Sequence, residues 1–297
     1  MSVAIVNFNG GQFLASTMRA ALASPVSLEI IVADNGSSDD SLTSLRSRFG
    51  TDPRVRIIEN RENLGFARAN NRILRRARGE YFLSLNPDCV VYPDTITGML
   101  AAMESYPKAG IAGCMIRNPD GSEQAGSRRA VPTPWRTFVR VLQLDKRFPN
   151  HPRFHSFVLT QEPVPNEPTF VEAISGAFML VRRAALEQVG PLDEGYFLHC
   201  EDLDWCMRFR QAGWKVMFVP GTEAIHYKGA CSHRRPVRVL WHKHRGMVRF
   251  YRKFFRDQYP APLMWVVVSS IWARFGILAA GCVVRMMWRG CLIVLSV

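Results

Sequence analysis

Short apolar runs alternate with helix-period stretches through the first part of the chain. Residues 3–8, 28–33, 55–58 and 81–85 read as strands, and residues 13–22, 41–48, 66–77 and 95–105 between them carry apolar positions at helical spacing. This alternation predicts an α/β domain with a mostly parallel central sheet and crossover helices, so ligands belong at the carboxyl ends of the strands. Residues 117–169 break the pattern. Asn118-Pro119 and Asp120-Gly121 are turn signals, prolines recur and periodicity is weak, which predicts a long insertion over the site. Order returns with a strand at 177–181, a helix from about 202 to 212 and a strand at 214–219.

A basic, aromatic helix is predicted over 236–259, and from residue 261 the composition turns apolar. The first apolar run, 261–273, stops at Arg274, short of the roughly 18 to 20 residues of an uninterrupted span. Arg285 follows Arg274 by about three helical turns and Arg289 comes one turn later, so the three arginines share a stripe. With Trp265, Trp272 and Trp288 among otherwise apolar residues, such a helix suits the interface plane of a membrane. A span over 261–284 and a helix packed on the domain or on a second subunit are the competing readings. The chain thus divides into a domain at 1–235 and a helical tail at 236–297.

Charge sharpens that division. The 297 residues are 47% hydrophobic and 21% charged, which allows a well-filled core and excludes a disordered chain or a small disulfide scaffold. The net charge is +13, of which residues 226–297 hold +12 and residues 1–225 only +1. A near-neutral domain with a basic, apolar tail points to an anionic membrane surface and not to nucleic acid. The seven cysteines (Cys89, Cys114, Cys200, Cys206, Cys231, Cys282 and Cys291) form no C-x-x-C pair and read as reduced, intracellular core residues. The first residues lack a cationic region and a cleavage site, so a catalytic domain held on the cytosolic side is expected.

Candidate chemistry gathers at predicted strand ends. Asn7-Phe8-Asn9-Gly10 follows the first strand and Asp34-Asn35-Gly36-Ser37 the second. Each alone is a common turn, but in register they form two sides of a nucleoside pocket. Asn86-Pro87-Asp88 ends the fourth strand, where Pro87 stops the ladder and Asp88 offers carboxylate oxygen to Mg²⁺ or Mn²⁺; a ligand-free turn is the plainer reading. The densest acidic cluster is Asp193-Glu194 with Glu201, Asp202 and Asp204. Asp204 and Arg208 have i,i+4 spacing and read as a structural pair, which leaves Asp202, near the helix start, as the better general base. His226, with Lys228 and Ser232 nearby, reads either as a metal or diphosphate contact or as an ordinary loop histidine.

Taken together the chain resembles the family-2 glycosyltransferases, and among them bacterial dTDP-rhamnosyltransferases, over residues 3–235. The resemblance rests on Ile5-Val6-Asn7-Phe8-Asn9, Asp34-Asn35-Gly36-Ser37, Asn63-Leu64-Gly65-Phe66-Ala67 with Asn70, and Leu85-Asn86-Pro87-Asp88. It continues through Ile174-Ser175-Gly176-Ala177-Phe178, Gly190 with Asp193-Glu194, Glu201-Asp202-Leu203-Asp204, and His226 with Ser232. It implies a nucleotide-diphospho-sugar transferase (GT-A type) fold and an inverting transfer to a hydroxyl of a lipid-linked or cell-surface saccharide. Asn7, Asn9, Asp34, Asn63, Gly65 and Phe66 would line the nucleotide pocket. Asp88 and His226 would hold a divalent cation, Mg²⁺ or Mn²⁺, with Asn86 where the family often has the first Asp of Asp-x-Asp. Asp202 would be the catalytic base, and Glu201, Asp204, Asp193, Ser175 and Gly176 would support it or meet the acceptor.

The turn Asn118 to Ser122 and the Arg128-Arg129 pair resemble the rhamnosyltransferase subset, so the implied donor is dTDP-rhamnose-like. The setting implied is the cytoplasmic face of a bacterial inner membrane. No Gln-x-x-Arg-Trp motif occurs, so one or a few transfers are expected rather than polymer extrusion. A catalytically inactive, membrane-bound nucleotide-sugar binding protein is the alternative. Loss of Asp88 or Asp202 would have favoured it, and both are present.

Overall fold

The computed structural model describes residues 1–148, 151, 153, 154, 157–229 and 236–295, excepting the side chains of Gln161 and of residues beyond Met286. The strands are β1 (Ser2–Asn7), β2 (Glu29–Asp34), β3 (Val55–Glu59), β4 (Tyr81–Leu85), β5 (Cys89–Val91), β6 (Ala109–Arg117), β7 (Arg128–Arg129), β8 (Thr169–Val171), β9 (Ala173–Ile174), β10 (Phe178–Arg182) and β11 (Lys215–His226). The helices are α1 (Gly11–Leu22), α2 (Ser41–Phe49), α3 (Phe66–Leu74), α4 (Thr95–Ser105), α5 (Pro134–Val141), α6 (Leu144–Arg147), α7 (Arg183–Val189), α8 (Glu201–Gln211), α9 (Pro236–Phe254) and α10 (Ala261–Leu295).

Among the described residues the main sheet runs β3-β2-β1-β4-β10-β6-β11-β5, with β8 on β11. The ladders β3-β2-β1-β4 and β6-β11 are parallel, while β10, β5 and β8 pair antiparallel. The parallel strands read as continuous apolar runs because helices cover both faces. Phe82, Ile111, Trp205, Phe209 and Val216 lie in one core layer and Leu14, Met18, Leu83, Met99 and Met103 in the other. Register sets Asn7 of β1 beside Asp34 of β2, so the two polar loops leave the sheet at one level.

Two strands depart from the expected pattern. β6 was not signalled because Ala109-Gly110-Ile111-Ala112-Gly113 is small and buried on both faces, without alternation. β11 does not end at Val219 but continues to His226, absorbing Pro220-Gly221 in a register shift between Val219 and Glu223. His226 therefore sits at a strand end, paired with Cys89 of β5, and not in a loop.

The insertion is tied down along its described length. Thr133 Oγ1 caps α5 by accepting from Arg136 N (3.2 Å), with Pro134 in the first turn, and Thr137 Oγ1 hydrogen-bonds Tyr251 Oη of α9 at 2.6 Å. The core does not stop at residue 235: Val248, Phe250, Tyr251 and Phe254 of α9 join the layer that holds Trp205. α10 lays Met264 and Ile271 against this layer, and its Trp272 and Phe275 meet Trp241 of α9 at ring distances of 4.9 and 5.7 Å. The other faces of α10 expose apolar side chains, Trp265 at 77% and Ile277 at 74%. Residues 261–286 are long and apolar enough to cross a membrane, with Arg274 beside the packed stripe. The side chains of Trp288 and Arg289 lie outside the described residues.

Candidate active site

The first two strand ends form one hydrogen-bonded unit. Asn7 is fully buried and its Nδ2 donates to Asp34 Oδ1 (2.7 Å), Ser41 Oγ (2.8 Å) and Ser37 Oγ (3.1 Å), while its Oδ1 accepts from Gly10 N at 3.2 Å. Asp34 also accepts from Ser37 Oγ (2.6 Å), Ser37 N (3.0 Å) and Gly36 N (3.1 Å). A carboxylate has about four lone-pair positions, and here four donors occupy them. Asn7 and Asp34 thus tie the two loops together at the strand ends. Asn9, at φ +56°, accepts from Ser38 N (2.7 Å) and so clamps the second loop to the first.

Asn63 Oδ1 accepts from Gly65 N (2.9 Å) and Asn35 Nδ2 (3.3 Å), and its Nδ2 has no partner among the described residues. Gly65 has φ +83°, and a Cβ there would lie 2.6 Å from Phe197 O. Only glycine lets α3 begin this close to the 197–200 turn, where Phe66 N donates to Phe197 O at 2.8 Å. A cleft of about 280 Å³ opens beside Asn63, Leu64, Phe197 and His242.

Asp88 and His226 meet although 138 positions separate them in the chain: His226 Nε2 lies 3.2 Å from Asp88 Oδ1, both side chains nearly buried. Gln124 fixes the imidazole. Its Nε2 donates to Asn118 Oδ1 (2.8 Å) and His226 O (3.1 Å), so its Oε1 is left to accept from His226 Nδ1 at 2.7 Å. In the neutral ring this assigns the hydrogen to Nδ1 and the lone pair to Nε2, the form in which imidazole binds metals. Two acceptors 3.2 Å apart need positive charge between them, and a carboxylate with an imidazole fits a divalent cation whose other ligands are phosphate oxygens and water. No cluster of three or more His, Cys, Asp or Glu suited to a metal occurs among the described residues. Asn86 Nδ2 lies 3.4 Å from the same Nε2. Ser232 lies outside the described residues.

The acidic cluster separates into distinct environments at the start of α8. His199 and Cys200 precede it with φ +69° and +71°, a strained pair for non-glycine residues. Asp202 Oδ2 accepts from the Arg129 guanidinium of β7 and from Gly176 N (3.2 Å), and its Oδ1 from Leu203 N (2.8 Å). Glu201 is buried with Oε2 unpartnered, and burial followed by the adjacent Asp202 charge pushes its carboxyl up to about 8. Asp204, wholly buried, pairs with Arg208 at 2.7 Å as its spacing predicts, and with Lys253 of α9 at 2.6 Å. Lys253 also reaches Asp193 (2.7 Å), which Arg249 grips through both oxygens at 2.8 and 2.9 Å. Burial would raise the Asp193 carboxyl, but these cations hold it down to about 2. Asp193 and Asp204 thus lock α9 to α8 and the turn before it, and neither carboxylate is free of a cation.

Ser175, Gly176 and Ala177 join the two halves of the site. Gly176 N reaches Asp202, while Ala177 O accepts from Asn86 N at 2.9 Å, next to Asp88. The sequence reading missed Arg129 as the partner of Asp202, Gln124 as the anchor of His226 and Lys253 as the second partner of Asp204. The Arg128-Arg129 pair was visible, but its function depends on β7 pairing with β9 (Arg129 opposite Ala173), which no local signal encodes.

An α/β sheet with polar loops at adjacent strand ends, a carboxylate–imidazole pair at one strand end and an aspartate at the start of α8 defines a nucleotide-sugar glycosyltransferase of the GT-A type. Residues 2–190 match the family described as Glycosyl transferase family 2, and the chain belongs to that family. It is 32% identical over 274 residues to an N-acetylglucosaminyl-diphospho-decaprenol L-rhamnosyltransferase of Mycobacterium tuberculosis, covering 89% of this chain and 86% of the relative. It is 31% identical over 153 residues to the rhamnosyltransferase WbbL of Escherichia coli, covering 52% and 54% respectively. Among solved structures it resembles a mannosyltransferase of Pyrobaculum calidifontis in complex with GDP-Man and Mn²⁺. That match has a TM-score of 0.60 and 17% identity over 99% of this chain and 80% of that one, a likeness of fold.

Proposed function

We propose that this glycosyltransferase moves rhamnose from a dTDP-linked donor to a hydroxyl of a saccharide carried on a polyprenyl diphosphate, at the cytoplasmic face of a bacterial membrane. The observation that carries the reading is that Gly176 N donates to Asp202 while the next residue, through Ala177 O, accepts from Asn86 N beside the Asp88–His226 pair. The mycobacterial relative's name supplies the sugar and the acceptor class.

Asn9, Asn63, Gly65 and Phe66 line the nucleotide crevice, with Asn7 and Asp34 holding its walls. Asp88 and His226 would hold a Mg²⁺ or Mn²⁺ ion, which when bound neutralises the diphosphate as it leaves. Asp202, oriented by Arg129 and Gly176, accepts the proton of the acceptor hydroxyl. The acceptor oxygen bonds to the anomeric carbon as the bond to phosphate breaks, in one inverting displacement without a covalent sugar–enzyme intermediate. The exposed apolar faces of α10 and the basic α9 hold the site at an anionic membrane surface.

The test is donor-dependent release of nucleoside diphosphate by detergent-solubilised protein. dTDP-, UDP- and GDP-sugars are screened with Mn²⁺ or Mg²⁺ against N-acetylglucosaminyl-diphospho-polyprenol. Release and acceptor labelling with dTDP-rhamnose, lost in Asp202→Asn, is expected. Donor binding without turnover on any acceptor would instead favour a binding protein.

A further inference from the structure

Three cations without a carboxylate partner gather where the tail helices meet the catalytic turn. α9 is seated on residues 197–200 by its own side chains: His242 stacks on Phe197 with ring centroids 4.1 Å apart. A Cβ on Gly246 would lie 2.8 Å from His199 O, so glycine is what lets the helix approach. Lys243 lies between these two contacts, one turn before Gly246 and on the same side of the helix. Arg274 lies one turn beyond the buried Ile271 of α10, on the flank of the stripe packed toward α9. Lys228 follows His226 by two residues.

Trp241 and His244 of α9 meet Trp272 and Phe275 of α10, which sets the turn that carries Lys243 beside the turn that carries Arg274. Burial, then the charge of Lys243, hold the His199 imidazole down to about 4, with Lys228 and Arg129 adding to the effect. Partial desolvation, then Arg274, lower the Lys243 ammonium, although Lys243 itself is solvent-exposed, again with Lys228 and Arg129 contributing. Arg129 is taken by Asp202. Lys228, Lys243 and Arg274 have no carboxylate at ion-pair distance among the described residues. Like charges brought together without a counter-charge destabilise the fold, and a bound polyanion removes that cost.

We infer that Lys243 and Arg274 form the seat for the diphosphate of the lipid-linked acceptor, with Asp202 between this seat and the donor side. The inference rests on the functional reading above and specifies which groups recognise the acceptor. Lys228, next to His226, is placed for the donor's diphosphate. Lys243 and Arg274 come instead from helices whose outer surface is basic and aromatic: Trp241, Arg249, Arg252 and Trp272 line a groove of about 700 Å³. A lipid tail leaving the seat toward that surface keeps its sugar at Asp202, and a phosphate bridging an ammonium and a guanidinium gains charge-assisted hydrogen bonds from both.

The experiment is calorimetric binding of farnesyl diphosphate, farnesol and dTDP to the full chain, in wild type, Lys243→Gln, Arg274→Gln and the double variant, followed by transfer assays. Wild type should prefer farnesyl diphosphate over farnesol. Each single variant should weaken farnesyl diphosphate binding roughly tenfold and the double variant more, with dTDP affinity unchanged. Lys243→Arg should restore most of the loss. Unchanged farnesyl diphosphate affinity, or an equal loss for dTDP, overturns the assignment. If binding behaves as expected but no sugar reaches N-acetylglucosaminyl-diphospho-polyprenol, the seat stands and the functional reading fails. If transfer occurs while binding ignores both residues, the reverse holds.

Discussion

Arg129 at the end of β7 and Asp202 in the first turn of α8 lie 73 residues apart in the chain and form an ion pair at Asp202 Oδ2. Both side chains are mostly buried, at 20% and 15% exposure, so the guanidinium orients the carboxylate and offsets its desolvation. The insertion is therefore tied directly to the residue proposed as the base.

Asp202→Asn should lower transfer by about 10²- to 10⁴-fold while dTDP binding changes little, since a general base acts only on the reacting hydroxyl. Arg129→Gln should destabilise the fold by about 3 kcal/mol in wild type and by clearly less in an Asp202→Asn background. Urea denaturation of the four proteins gives the coupling, and additive effects would show that the pair is not energetically joined.

Gln124, held by Asn118 and the His226 carbonyl, fixes which nitrogen of His226 carries the hydrogen. Gln124→Leu should raise the Mn²⁺ concentration needed for half-maximal nucleoside diphosphate release by about 10- to 100-fold. An unmoved Mn²⁺ midpoint would mean that the imidazole is oriented by something else.

Glu201 makes stability depend on pH in a defined direction. Its carboxyl is raised from 4.5 to about 8 by burial and by Asp202, so the folded state holds a proton that the unfolded state releases. The resulting stabilisation is complete below pH 4.5 and is lost as pH rises through about 8. Glu201→Gln should flatten this part of the profile of urea midpoint against pH. A variant as steep as wild type over that interval would place the dependence elsewhere.

Trp265 is the most exposed large apolar side chain among the described residues of α10. Vesicles containing anionic phospholipid should blue-shift tryptophan emission in wild type and much less in Trp265→Ser, and binding should weaken with added salt. Equal binding to neutral vesicles at all salt concentrations would remove the electrostatic part of the membrane reading.

How much of this was legible in the sequence follows from what each feature depends on. β1, β2 and β4, the loops after Asn7 and Asp34, and the Asp204–Arg208 pair depend on local periodicity or on spacing within one helix, and the sequence states those directly. β6 was not legible because a strand buried on both faces by small residues has no alternation to read. Nor could spacing show how Asn7 and Asp34 are joined, because Asn7 Nδ2 reaches from the end of the first strand to Asp34 and to Ser41 beyond the second strand.

The sequence by itself determined the α/β class, the strand-end positions of the functional residues, Asp202 as the candidate base, and the concentration of charge in the last quarter. Only the tertiary structure decided that Arg129 holds Asp202, that Gln124 aims His226 at Asp88, and that α9 completes the core through Lys253 and its aromatic face. The reason is physical. Periodicity and spacing are properties of one segment, whereas these contacts arise from burying separate segments against one sheet, where each buried charge or ring nitrogen must find a partner.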